Sequence, residues 1–161
     1  MESRAKLFGH PIHQMLIVLP LGVLAMSLVF DLVAILAEWP HLHTAAFSMI
    51  AAGVISGLVA AVFGFIDYLG IPGGTRAKRV GALHGIGNVI VVVLFAASWL
   101  LRRDRPSDPA TIAILLSVAA AALAGVTGWL GGELVNRLGV GVDEGAHLDA
   151  PSSLHGPVPR S

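Results

Sequence analysis

Four stretches of this chain are each long enough and apolar enough to cross a lipid bilayer, and no other feature limits its possible folds so strongly. A membrane helix needs about 20 predominantly apolar residues to cross about 30 Å of hydrocarbon. Residues 15–37, 45–69, 80–101 and 111–135 meet that requirement. Inside lipid every backbone polar group must be satisfied within the segment, so each stretch is predicted to be a helix. Composition agrees: 55% of the residues are hydrophobic and only 12% are charged, with a mean hydropathy of +0.81. Soluble domains carry about 25% charged residues, and one of this size has too small a core to bury so much apolar surface. The first run is longer than a signal-peptide core and no small-x-small cleavage site follows it, so it is expected to be a retained span.

The connections, residues 38–44, 70–79 and 102–110, are short, and each contains proline. Short links make consecutive helices antiparallel neighbours. The expected fold is therefore an all-α integral membrane bundle of four antiparallel helices, up-down-up-down. It occupies residues 1–138, and a polar, Gly- and Pro-containing tail over 139–161 is expected to be mobile.

Lys and Arg placement gives an orientation. Arg4, Lys6, Arg76, Lys78, Arg79, Arg137 and Arg160 fall on one side, and Arg102, Arg103 and Arg105 on the other. Both termini are accordingly predicted to be cytoplasmic, in a bacterial inner membrane. The formal net charge is zero. A basic stripe with stacking aromatics is missing, which excludes nucleic acid as an expected partner. The chain has no cysteine, which removes disulfides, thiolate metal sites and cysteine-ligated iron–sulfur clusters.

Helical spacing sorts the polar and small residues into faces. In the second helix Gly53, Gly57, Ala60, Gly64 and Asp67 form a seam of small residues ending in an acid. Ser117, Ala121, Gly125, Gly128 and Gly132 repeat the pattern in the fourth. Such seams let membrane helices approach closely, within one chain or between chains. In the first helix His13, Pro20, Ser27 and Asp31 share a stripe, and Pro20 is expected to kink it. His84, Asn88 and Ser98 share one in the third. Polar stripes should face the bundle interior.

Antiparallel topology brings the titratable residues together. His10, His13, Asp67, His84, Asn88 and Glu133 all fall at the same end of the bundle. Imidazole is the commonest ligand for zinc, copper and iron, and carboxylates complete sites for harder ions. His10, His13, His84, Asp67 and Glu133 are thus the candidate metal ligands. Alternatively His84 and either His13 or His10 ligate a haem b iron axially, with Asn88 beside them. Gly81, Gly85 and Gly87 would then leave room for the macrocycle, and Arg76 or Arg79 would meet its propionates. Simpler readings compete. Glu133 stands four residues before Arg137 and is placed to pair with it. Asp67 is placed to pair with Arg76 or Arg79, and the histidines to form an interhelical hydrogen-bond network. Asp31, at the other end, is placed to meet His41, His43, Arg102 or Arg103. Neither a nucleophile elbow, a phosphate-binding loop nor a His-Glu-x-x-His motif is present, so no catalytic residue is assigned.

Gly9-His-Pro-Ile-His13, the following Pro20-Leu-Gly22 and Asp31 resemble the opening signature of a bacterial membrane family, domain of unknown function 2231. The resemblance continues through Gly64-Phe-Ile-Asp67, Gly81-Ala-Leu-His-Gly-Ile-Gly-Asn88 and the stretch from Gly128 to Gly141, covering about residues 8 to 142. It implies a four-helix membrane domain and carries over His10, His13, Asp31, Asp67, His84 and Glu133. Some relatives join this domain to a Rieske-type iron–sulfur domain, which implies electron transfer by analogy. This chain has no cysteines for such a cluster, and it has Gln14 where proline usually follows the second histidine.

Three functions follow. The leading one is a haem- or metal-binding electron-transfer component. The second is a non-catalytic accessory subunit of a larger respiratory or photosynthetic membrane complex, docked on other subunits or on its own copies. The third is a small ion- or proton-coupled carrier.

Overall fold

The computed structural model describes residues 1–155; Arg160, counted above for orientation, lies outside them. The chain opens with a two-residue β-hairpin, β1 (Lys6–Leu7) and β2 (His10–Pro11). Both turn residues, Phe8 and Gly9, have positive φ, at 51° and 83°. A two-residue hairpin turn favours that handedness because it matches strand twist, and glycine adopts it without strain. Helices follow as α1 (Ile12–Leu16), α2 (Val18–Leu36), α3 (His41–Gly70), α4 (Arg76–Arg102) and α5 (Thr111–Gly132). A π-helical turn, Glu133–Arg137, continues α5.

Together α1 and α2 make the first span, interrupted at Ile17. Its cause is Pro20, which has no N–H to give the Leu16 carbonyl and whose ring crowds that carbonyl. The sequence placed the disturbance at the proline; the structure places it one turn earlier, where the unpaired carbonyl lies. The first helix also begins at Ile12, earlier than residue 15, because Pro11 is suited to a helix entrance. At the end of α2, Glu38 takes the left-handed conformation (φ 56°), and Trp39 N–H donates to Ala34 O at 3.0 Å, closing the helix. Thr75 starts α4, its hydroxyl accepting from Lys78 N–H at 3.1 Å.

Four spans are long and apolar enough to cross a membrane: Ile12–Leu36, His41–Gly70, Arg76–Arg102 and Thr111–Arg137. Between 17% and 22% of each span's most apolar stretch is buried within the protein. The rest faces outward, which suits lipid rather than water. Consecutive helices pack on each other, and α2 and α5 close the ring with a smaller contact. The start of the first span meets the end of α3 (His13 with Ala60), and the end of α2 meets the start of α3 (Asp31 with His43). The same register joins α4 and α5. Adjacent helices therefore lie antiparallel.

Leu24, Ile50, Val91, Phe95 and Ala120 form the apolar centre. The small-residue seam of α3 packs within the chain: Gly53 receives Leu24, Gly57 receives Pro20 and Val92, and Gly64 receives His13. A β-carbon at Gly53 or Gly64 would collide with these side chains. On α5, Ser117 and Ala120 are buried, whereas Gly125 and Gly128 face open space.

Candidate functional site

Two polar contacts cross the bundle diagonally, each joining the first span to the third. His13 meets His84 at one end, and Asp31 meets Arg102 at the other. The members of each helix's pair are eighteen residues apart. At 1.5 Å per residue that is about 27 Å, close to the hydrocarbon thickness. The two contacts thus bracket the apolar centre.

At the first end the imidazole centroids of His13 and His84 are 6.4 Å apart, with ring planes at 89°. His13 Nδ1 lies 2.8 Å from Ala60 O, and His84 Nδ1 lies 2.8 Å from Thr127 O. A carbonyl oxygen can only accept, so each Nδ1 carries the proton and donates it. In the neutral rings this leaves both lone pairs on Nε2. A metal-ligating histidine is commonly held this way, its other nitrogen anchored to a carbonyl. Asn88 Nδ2 donates to His84 Nε2 at 3.2 Å and to His84 O at 2.9 Å. Asn88 Oδ1 in turn accepts from the Thr127 hydroxyl at 3.1 Å. Each ring also lies against a glycine. A β-carbon on Gly64 would stand 2.8 Å from the His13 ring, and one on Gly131 would stand 3.2 Å from the His84 ring.

The other sequence candidates are engaged elsewhere. Asp67 Oδ1 accepts from Ser3 Oγ and Arg4 N at 2.7 Å and from Ala5 N at 3.3 Å. It secures the N-terminal segment rather than pairing with Arg76 or Arg79. Glu133 accepts from Arg76 Nη2 at 2.8 Å. The expected pairing with Arg137 assumed α-helical spacing; the π turn changes that spacing, with Leu138 N–H donating to Glu133 O at 3.1 Å. His10 is exposed on the hairpin, 3.3 Å from Ser153 Oγ. Among the described residues no three His, Asp or Glu side chains come together to hold a metal ion. Gly87 is filled by Thr127, and Gly81 faces Tyr68 and Ile71 at 3.2 Å, so these two serve helix packing; Gly85 faces open space. Two surface hollows are lined by other residues, one on the outer face beside Leu16 and Ile55, the other between Leu101 and Thr111.

Tail residues next to the bundle are tied to the chain start. Met1 N donates to Gly139 O at 3.0 Å, and Gly141 N donates to Met1 O at 2.9 Å. Gly139 and Gly141 have φ of 63° and 79°, and Gly141 packs against Gln14.

At the second end Asp31 and Arg102 are completely buried, at 0% exposure. Arg102 Nη1 donates to Asp31 Oδ1 at 2.8 Å, and Nη2 lies 2.7 Å from Oδ2 as an ion pair without hydrogen-bond alignment. Buried His43 adds an Nδ1 contact to Asp31 Oδ1 at 2.7 Å. Ser98 Oγ, Ser117 Oγ and Ala113 O accept from the remaining guanidinium protons at 3.2–3.5 Å. A single charge pair thus gathers groups from all four spans. The sequence left Asp31 a choice of four partners; burial selects His43 and Arg102. His41 instead stacks on Trp39.

Four apolar spans enclosing two polar crossings define a polytopic integral membrane protein. Residues 9–144 match the family model described as "Predicted membrane protein (DUF2231)". The chain belongs to that family. No curated protein and no solved structure matches it.

Proposed function

We propose that this protein is an electron-transfer component of the bacterial inner membrane, in which His13 and His84 would hold a haem iron. The observation that carries this reading is the pair of imidazoles whose Nδ1 protons are tied to backbone carbonyls, leaving Nε2 as the ligating nitrogen of each. The two ring centroids stand 6.4 Å apart, so one iron would be held by both histidines. Two histidines with no third His, Asp or Glu ligand among the described residues make a poor site for a bare ion, whereas a haem brings four nitrogens of its own. Bound there, haem would supply one-electron exchange. The chain's part is to orient both rings against Gly64 and Gly131, to release His84 Nε2 from the Asn88 amide, and to keep water out with the apolar centre.

On this reading the chain start and residues 139–155 face the cytoplasm. Arg102 is neutralised by Asp31, so Arg103 and Arg105 remain on the opposite side, with Asp104 and Asp108 in the same loop. Arg4, Lys6, Arg76, Lys78, Arg79 and Arg137 lie at the end with the termini. That sharpens the charge asymmetry read from sequence.

The test is an absorption spectrum and metal analysis of the protein purified in mild detergent. A Soret band with stoichiometric iron, lost in His13→Ala and His84→Ala, is expected. Transition metal without a chromophore would move the site to a bare ion. A sample with neither iron nor chromophore overturns the reading.

A further inference from the structure

We infer that the chain is two fused copies of one helical hairpin, facing each other across a pseudo-two-fold axis along the bundle, and that the Asp31–Arg102 pair makes each copy select the other rather than its own kind. The inference rests on positions. Asp31 and Arg102 are 71 residues apart. The same offset relates Leu24 to Phe95, Ser27 to Ser98 and His13 to His84. Asp31–Arg102, Leu24–Phe95 and Ser27–Ser98 are buried at both members, and His13 and His84 are both half-buried.

In the second helix of each hairpin the offset is 67, and it relates Ala46 to Ala113, Ile50 to Ser117, Gly53 to Ala120 and Ala60 to Thr127. All eight of these residues are buried. Hydrogen bonding obeys the same map. His13 donates to the carbonyl of Ala60 and lies on Gly64; His84 donates to the carbonyl of Thr127 and lies on Gly131. Each of those partners is 67 residues from its counterpart. The offset changes because α2 continues five residues beyond Asp31 whereas α4 ends at Arg102. His43, in the first turn of α3, has as its positional counterpart the exposed Ala110, just before α5 begins.

Both hairpins begin at the same end of the bundle, so the relation is a parallel repeat about the bundle axis, not an inverted one. Residues near such an axis meet their own counterparts. Imidazole beside imidazole is tolerated when both are neutral. Two copies of the first hairpin would set Asp31 against Asp31 with only the His43 that each already holds and no arginine between them, and two copies of the second would set Arg102 against Arg102. Uncompensated buried charge is strongly unfavourable, so only unlike hairpins close the axis. The arrangement this pair opposes joins two copies of the chain like to like, first hairpin on first and second on second, which buries the same apolar faces.

Full-length chains carrying two different affinity tags test this when coexpressed and purified through one tag in detergent. D31R and R102D, expressed singly, each place like charges on the axis and are expected to accumulate many-fold less than wild type. Coexpressed, they are expected to recover by exchanging hairpins, because every axial contact between the two chains then joins opposite charges, and to be captured as a 1:1 mixed-tag dimer. The neutral variant D31L/R102M keeps the axis filled with apolar side chains. It is expected to fold, with a mixed-tag fraction at least several-fold above wild type. Full accumulation of either single charge variant overturns the inference, as does failure of the coexpressed pair to recover. So does a D31L/R102M variant that folds with an unchanged mixed-tag fraction.

Discussion

At the residue scale, function and packing are decided by which atoms are already taken. His13 and His84 differ from the other candidate histidines because a backbone carbonyl fixes the proton of each on Nδ1. Asp67 and Glu133 have the right chemistry for metal ligation but spend it on the N-terminal amides and on Arg76. Nothing in the sequence order separates these cases, since all five residues fall at one end of the bundle. Gly64 shows the constraint most directly. Gly64→Leu would place its side chain where the His13 ring sits, and that ring is held there by its 2.8 Å hydrogen bond to Ala60 O. Overpacking of this kind costs about 1–3 kcal/mol. The variant is expected to melt at lower temperature in detergent and to lose any His13-dependent absorption. Gly128→Leu, at a glycine with open space before it, is expected to change neither.

At the element scale, the apolar runs were legible because a 20-residue stretch without charge has few alternatives to a helix. Their ends were less so. The helices reach past the apolar runs at the start of the first span, at the start of α3 and on both sides of the second link, while α2 stops one residue short, and Pro11, Glu38 and Thr75 set boundaries by backbone geometry. The break at Ile17 was foreseeable from Pro20 once the proline's effect is counted back one turn. Pro20→Ala is expected to restore the missing backbone hydrogen bond, so that amide exchange across residues 16–21 slows and thermal stability rises. It should also realign α1 with α2 and move His13 away from His84, weakening whatever the pair binds. The π turn at Glu133–Arg137 had no sequence signal that the four-residue pairing rule could detect, because that rule presumes α-helical spacing.

At the scale of the whole molecule, the absence of native cysteines makes orientation directly measurable. Ser107→Cys, in the loop between α4 and α5, is expected to react with a membrane-impermeant maleimide on intact cells. Ser152→Cys, beyond the last span, is expected to react only after permeabilisation. Reversal of that pattern would invert the orientation. The sequence alone determined that this chain is an all-helical membrane protein with four spans, because the length and apolarity of a segment are local properties and lipid admits few backbone solutions. It also determined that its polar groups gather towards the two ends. Tertiary structure alone decided which of them meet. Diagonal contacts such as His13–His84 and Asp31–Arg102 join helices that are not neighbours in order, so no local spacing encodes them. The repeat behind these contacts was hidden for a related reason: burial and axial position are shared between the two hairpins, while side-chain identity mostly is not, and a link of different length shifts the register midway. Only the packed bundle brings the equivalent positions face to face.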